Sequence, residues 1–373
     1  MFFLILVSLL TFYVAFLLFI YVGTFLNCGS KQNKSEKLNF ISVIIAARNE
    51  EKFLPQLLSS LANQNYPQKF FEVIAVSDRS EDRTDAIIHD YVKRNENFHF
   101  VRINEEEPNL IGKKNAITKG IKETKGEILL FTDADCVPNK NWISSTNSKF
   151  NAGSDFVAGY SPLIAKNITL YEKIILLLKN LERLSIFTIS AGTVGWNWGV
   201  TAAARNIAYR KKMFIEVSGF SGIGHIPSGD DDLFLQKISI TGNYHLSFNY
   251  DPDSFVPSHE DKSGKALVDQ EKRRASKWKY YPAKIKIFTT LIFCFFILLF
   301  IAFIASVIGI FSWTDFLIIF GAKVIIDFLI VFQGALIFKS LRSLLLFPLA
   351  EIFYIPYFLG FAILGTFSKY RWK

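Results

Sequence analysis

Apolar and polar positions follow one another along this chain in three different ways. From Phe2 to Leu26 polar residues are almost absent, and the run of Phe, Leu, Ile and Val is long enough, at about 1.5 Å per helical residue, to cross a hydrocarbon layer of about 30 Å. From about residue 39 to 280 short apolar runs alternate with helical patterns. The β-branched run Phe40–Ala47 ends in polar Arg48-Asn49-Glu50-Glu51, after which Phe53, Leu54, Leu57, Leu58 and Leu61 recur at helical spacing, predicting strand, loop, helix. Phe71–Val76 and Phe98–Ile103 read as two further strands, and Gly126–Leu130 as a buried fourth that leads into Phe131-Thr132-Asp133-Ala134-Asp135-Cys136. Strands alternating with helices predict right-handed crossovers and a mainly parallel sheet, an α/β domain whose ligands gather at the carboxyl ends of the strands. Beyond it, Ile287–Phe311 and Phe316–Phe338 are each long enough to span a bilayer, and the tight Ser312-Trp313-Thr314 turn predicts a hairpin over 287–338. A third carboxyl-terminal apolar segment, 344–366, is interrupted by Pro348, Glu351 and Pro356, so it either crosses or lies re-entrant or at the interface.

Composition sharpens this picture. The 373 residues are 50% hydrophobic and 16% aromatic with 38 Phe, richer than a water-soluble domain of this size, so part of the chain is expected in lipid. The net charge is +9, but the basic residues cluster beside the apolar segments and form no continuous stripe; the expected partner is anionic lipid and not nucleic acid. Cys28, Cys136 and Cys294 form neither a metal spacing nor a disulfide framework. A cleaved signal peptide is not expected at 1–27, since no basic residue precedes the apolar run, the run is too long and no small-x-small site follows. Lys31, Lys34 and Lys37 then place the following domain in the cytoplasm, in a multi-pass protein of the inner (plasma) membrane. Counting crossings sends the basic tail Lys369, Arg371, Lys373 outside, against the same rule.

Candidate chemistry collects at the strand ends. Asp133 and Asp135, one residue apart at the tip of a buried strand, suit a hard Mg²⁺ or Mn²⁺ that in turn grips a diphosphate. Asp78, after the second strand, is placed to accept from a nucleobase N–H, with Glu50 on the base or ribose; the alternative is that Asp78, Ser80 and Asn49 only cap the next helices. Gly112-Lys113 supplies a bend and a cation near phosphates, or merely a solvated lysine. Ser228-Gly229-Asp230-Asp231-Asp232 is the densest acidic cluster and precedes an expected helix, where the macrodipole favours acids in any case. Trp196 and Trp198 offer aromatic faces to a sugar ring, or to core or interface packing. His259 is a candidate to complete the metal shell, although most isolated histidines are not ligands. Lys323 and Asp327, four apart inside an apolar helix, are expected to neutralise each other.

The ordered set Ser42–Glu51, Val76–Asp82, Gly112-Lys113 and Asp133-Ala134-Asp135 resembles family-2 glycosyltransferases with a GT-A nucleotide-sugar domain, over roughly residues 39–280. The resemblance implies that Glu50, Asp78 and Lys113 bind the nucleotide and Asp133 and Asp135 the metal and diphosphate; Ser77 departs from it, standing where an acid is common. Arg205-Asn206 with Val217-Ser218-Gly219-Phe220 is similar to the segment lining the sugar and acceptor side, which adds Asn206 to the acceptor-side candidates. The family's base aligns with Asp230, with Asp231 as the fallback. Gln270 and Arg273 resemble two positions of the Gln-x-x-Arg-Trp motif of membrane polysaccharide synthases, with Arg274 in place of the Trp. By this resemblance the chain is expected to be an inverting, metal-dependent transferase that moves a sugar from a nucleotide diphosphate sugar, UDP-linked, to a membrane-associated lipid or glycan acceptor. A processive synthase coupled to export and a non-enzymatic nucleotide-sugar-binding protein are the other two classes.

Overall fold

The computed structural model describes residues 1–26, 37–165, 168–259 and 264–367. Lys31 and Lys34, and the tail residues Lys369, Arg371 and Lys373, on which the topology expectation rests, lie outside them. The chain divides into two compact units, one formed by Leu26–Asn167 and Thr193–Glu260, the other by Met1–Phe25, Ile168–Gly192 and Asp261–Tyr370.

The first unit is built on strands β1 (Ile41–Ala47), β2 (Phe71–Asp78), β3 (Phe98–Ile103), β4 (Ile128–Asp133), β5 (Phe156–Gly159), β6 (Leu163–Ile164), β7 (Ile207–Arg210), β8 (Leu246–Asn249) and β9 (Ser258–His259). Seven of them form one sheet in the order β3-β2-β1-β4-β7-β5-β8, and β6 pairs with β9 apart from it. Pairing is parallel except at β7, which runs against both β4 and β5, so the sheet is mainly parallel, as expected. The first three expected strands and the fourth all form; β2 runs two residues further than its β-branched stretch, which puts Asp78 on the strand itself. The helix Leu54–Ala62 follows from its sequence: Pro55 sits at its start, where a missing N–H costs nothing, and Leu54, Leu57, Leu58 and Leu61 form one buried stripe on the sheet. The helix Lys113–Glu123 lies closer still. A Cβ on Gly120 would come within 2.9 Å of Val76 Cγ2, so only glycine lets this helix settle on β1 and β2 and aim its first turn at the strand ends.

In the second unit the helices Phe2–Leu26, Ala283–Val307, Trp313–Ile337 and Phe347–Phe367 share one apolar cluster, with Leu6, Leu17, Phe295, Leu299, Ile326 and Leu359 among its members. Among the described residues three segments are long and apolar enough to cross a membrane: Phe2–Leu26, Ala283–Val307 and Leu341–Gly365. Trp313–Ile337, expected as the return limb of the hairpin, is not one of these three segments; it carries Lys323 and Asp327, which pair at 2.9 Å. That pair is not self-sufficient: Glu351 also contacts the Lys323 ammonium, and Tyr13 donates to Asp327 at 2.6 Å. Burying an ion pair is tolerable only when the remaining lone pairs and protons find partners, and here two other helices supply them. The helix Leu170–Gly195 was not expected; its Glu182 pairs with Arg274 at 2.6 Å.

Candidate active site at the carboxyl rim of the sheet

The register Ala46↔Asp133, Ala47↔Ser77 and Asp78↔Ile103 brings the carboxyl ends of β1, β2 and β4 level. The chain leaves β1 through Asn49 (φ 54°) and β2 through Arg79 (φ 53°), both in the left-handed region that non-glycine residues seldom occupy. The two loops are laced together. Asn49 N–H donates to Ser80 Oγ (3.2 Å), Glu50 N–H to Thr84 Oγ1 (2.9 Å) and Glu51 N–H to Asp82 Oδ2 (3.0 Å), while Asn49 Oδ1 and Glu51 Oε2 accept from Glu81 N–H (2.8 Å) and Arg83 N–H (3.1 Å). Ser77, the departure from the family pattern, is buried and donates to Ser80 Oγ at 2.9 Å, so it supports this lacing. Asp78 is buried and gripped from the side by Arg79, Nε to Oδ1 at 2.8 Å and Nη2 to Oδ2 at 3.2 Å. Arg79 also reaches Glu106 Oε1 at 2.5 Å, and these two carboxylates, Asp78 first, hold the guanidinium's pKa above its ordinary value. The expected base-reading carboxylate is therefore presented as a carboxylate and guanidinium side by side.

Next to it, Gly112 (φ 59°) turns the chain into the helix that starts at Lys113. The Lys113 ammonium contacts Asp133 from β4 and lies 3.2 Å from Asp230 Oδ2. Because β7 runs antiparallel beside β4, with Ile207 opposite Phe131, the residues just before β7 arrive at the same rim. They include Arg205, whose Nε is 3.6 Å from Asp133 Oδ2 and whose Nη2 is 3.7 Å from Asp135 Oδ2. Burial disfavours the Lys113 cation, but Asp133 and Asp230 outweigh it and raise its pKa; burial likewise disfavours ionised Asp133, and Lys113 and Arg205 outweigh it and lower that pKa. Cys136, one residue beyond Asp135, has its thiol pushed well up by burial and by Asp135 and Asp133, so it is no nucleophile.

Of the three acids in the cluster, two are occupied locally. Asp231 caps the helix Asp232–Thr241, accepting from Asp232 N–H at 2.7 Å and from Ala204 N–H at 3.2 Å, and Asp232 Oδ1 accepts from Leu233 N–H at 2.8 Å. Asp230 instead faces Lys113, and its buried Oδ2 accepts no hydrogen bond among the described residues.

Asp133 and Asp135 fit the divalent cation expected of them. Their donors are hard oxygens, and Asp133, Asp135, Asp230 and Asp231 against Lys113 and Arg205 leave an excess charge of −2, which one Mg²⁺ or Mn²⁺ balances. No group of three or more His, Cys, Asp or Glu suited to a metal occurs among the described residues, so the remaining ligands would come from phosphate and water.

His259 does not join this pair. Its backbone N–H donates to the Asp135 carbonyl at 2.9 Å, but its ring stacks on Phe53 and its Nε2 sits 2.8 Å from Gln56 Oε1. Asn206 is corrected too: it is buried, accepting from Trp142 Nε1 at 3.0 Å and donating to the Tyr160 and Ser254 carbonyls at 2.9 and 2.8 Å, which leaves nothing for an acceptor. Asn206→Ala leaves those groups unmatched in a dry core and is expected to destabilise this unit by about 2–4 kcal/mol, read as a lower midpoint in chemical denaturation; an unchanged midpoint would contradict the network. Trp196 is exposed and Trp198 half-buried on a turn that Asn197 anchors to Tyr244 and Leu246 beside β8. Gln270 and Arg273 lie on the helix Gly264–Ser276 of the other unit, where Arg274 is engaged by Glu182 and by Glu271 at 3.1 Å. Sequence reading gave Arg79 and Arg205 no role of their own beyond their places in the family-like stretches, and missed Glu106 altogether. A lone arginine in a loop carries no pattern, and only the direction of β7 reveals where Arg205 goes.

A family model described as glycosyl transferase family 2 matches residues 42–220. Among curated relatives, the glycosyltransferase AglE of Haloferax volcanii is 26% identical over 219 residues, 57% of this chain and 66% of that protein. The poly-beta-1,6-N-acetyl-D-glucosamine synthase of Staphylococcus epidermidis is 28% identical over 222 residues, 59% of this chain and 49% of the synthase. The chain thus spans about half to two thirds of the length of these relatives. Among solved structures, the mannosyltransferase PcManGT from Pyrobaculum calidifontis, in complex with GDP-Man and Mn²⁺, superposes with a TM-score of 0.55 at 15% identity, covering 98% of this chain and 97% of that one, a likeness of fold. The match over residues 42–220 identifies a glycosyl transferase family 2 domain in this chain, and the mainly parallel sheet with the likeness to the mannosyltransferase gives it the GT-A fold.

Proposed function

We propose that this protein transfers a sugar, with inversion, from a nucleotide diphosphate sugar to an acceptor held at the membrane surface, a lipid or a growing glycan. The observation that carries the reading is the bridge made by Lys113, which joins Asp133 at the end of β4 to Asp230 before the helix Asp232–Thr241. Two acids with opposite duties are brought to one ammonium: one beside the leaving group, one with a buried oxygen that accepts no hydrogen bond among the described residues. Asp133 and Asp135 would hold Mg²⁺ or Mn²⁺, which when bound offsets the charge of the departing diphosphate. Lys113 and Arg205 supply fixed positive charge on the same side, and the Asp78–Arg79 pair with Glu50 meets the nucleoside. Asp230 takes the proton of the acceptor hydroxyl as that oxygen bonds to the anomeric carbon from the face opposite the diphosphate. The bond to the diphosphate breaks with its electron pair, and the nucleoside diphosphate leaves.

Three apolar segments support a membrane location, and the proposed topology sets the sheet unit on the cytoplasmic face of the plasma membrane, next to a lipid-linked acceptor that diffuses in two dimensions. The synthase reading draws less support, because Arg274, standing in place of the motif's Trp, is held by Glu182 and Glu271 and offers no ring to floor an acceptor site. Release of nucleoside diphosphate from a panel of UDP- and GDP-sugars by the purified chain with Mn²⁺ tests the proposal. Binding without turnover on every donor would favour a non-enzymatic protein, and product length on a lipid acceptor separates single transfer from polymerisation.

A further inference from the structure

The helix Lys113–Glu123 opens with two lysines, at the end where the macrodipole disfavours cations, so tertiary partners must hold them there. Consecutive helical residues point about 100° apart, and the two side chains separate accordingly. Lys113 goes to the rim. Lys114 goes inward: it is 1% exposed, and its Nζ donates to the carbonyls of Ile226 and Ser228, each at 2.6 Å. An ammonium taken out of water costs several kcal/mol unless its protons are matched, so these carbonyls are firmly bound. Between Ser228, held by Lys114, and Asp230, held by Lys113, stands a single residue, Gly229, at φ 90°. The same loop is tied down once more where Ile111 N–H donates to the Gly224 carbonyl at 3.2 Å. Neighbouring lysines of one helix therefore grip the backbone and the side chain of the acid-bearing loop from two directions.

We infer that Lys114 is a positioning residue for the transfer step: by fixing the Ser228 carbonyl it sets the direction from which Asp230 meets the acceptor hydroxyl. This rests on the assignment of Asp230 as the base. A displacement of about 1 Å in a catalytic group is enough to cost up to about 100-fold in rate, and the Ser228 carbonyl is the backbone anchor of this loop that lies nearest to Asp230, across the single turn at Gly229. Lys114→Met keeps most of the buried volume and removes the two donated bonds.

The test uses the full chain in detergent or nanodiscs and measures nucleoside diphosphate release from the donor it turns over, with Mn²⁺, in four forms: native, Asp230→Asn, Lys114→Met and the double variant. Expected for Lys114→Met is a kcat about 10- to 100-fold lower, with donor KM within about twofold of native. In the Asp230→Asn background the same change should add almost nothing, because there is no base left to aim. A native kcat in Lys114→Met, or an equal further loss on top of Asp230→Asn, would overturn the inference, the second outcome marking a structural role only. Native turnover in Asp230→Asn would instead remove the base assignment, and is seen independently of Lys114. Should Lys114→Met fail to fold, Gly229→Ala, which leaves Lys114 in place and strains the link between the two grips, is read through the same cycle with the same expectations.

Discussion

Asp230→Asn is expected to lower kcat by about 10³-fold while leaving donor affinity within a few-fold of native, since loss of a positioned general base costs about 10²–10⁴-fold. The asparagine is nearly isosteric, so the loop should keep its course, and Lys113 keeps its contact with Asp133. What disappears is the acid of the cluster whose buried Oδ2 accepts no hydrogen bond among the described residues, whereas its two neighbours each accept from a backbone N–H. Asp231→Asn is the informative companion. Asp231 caps the helix Asp232–Thr241 and accepts from Ala204 N–H, so its loss acts on stability more than on the chemical step. The pair of variants should therefore separate cleanly, one losing kcat at a native melting temperature and the other the reverse. If Asp231→Asn alone abolished turnover, the roles given to the two neighbours would have to be exchanged.

Asp135→Ala is expected to weaken Mn²⁺-dependent binding of the intact sugar nucleotide by about 100-fold or more, ~2.7 kcal/mol, and to leave the much weaker metal-free binding unchanged. Asp135 is the better choice than Asp133 for this measurement. Asp133 contacts the Lys113 ammonium and faces Arg205 as well, so its removal weakens the pairing of two cations at once, leaving Lys113 with Asp230 and Arg205 with Asp135. Asp135 touches Arg205 at 3.7 Å, and Arg205 retains Asp133 when it is gone. Calorimetric titration of the donor with and without Mn²⁺ gives both affinities on one sample. Equal Mn²⁺ enhancement in native and variant chains would mean that the metal, if it binds, binds elsewhere.

Much of the sheet was legible in the chain, and the reason is length. The runs that became β1, β2, β3 and β4 are six to eight residues long and rich in Ile, Val and Phe, enough for β-branched residues and a polar stop to be seen. The strands β5 to β9 have two to four residues each, too few for a period to show, and the reversal of β7 leaves no local trace at all. The acids at the rim were legible for a topological reason: residues that follow parallel strands must emerge on one edge. The choice of Asp230 over Asp231 and Asp232 came from the family resemblance alone, because the local pattern does not carry it: it depends on the turn at Gly229 and on which carboxylate caps the helix. Asn206 and His259 show the same limit from the other side. Both types bind ligands readily, but whether a side chain opens to the cleft or is taken up by its own fold depends on distant neighbours such as Trp142 and Gln56.

The lacing of the loops after β1 and β2 has a dynamic consequence. Five backbone amides, those of Asn49, Glu50, Glu51, Glu81 and Arg83, each depend on a side chain from the opposite loop, so neither segment can open without exposing the other's donors. Deuterium exchange should accordingly report one shared opening rate for the two stretches, and a nucleotide that touches only one of them should slow both by the same factor. Distinct rates would show two independently breathing loops; a common one makes this edge of the cleft a single gate, preset before any donor arrives.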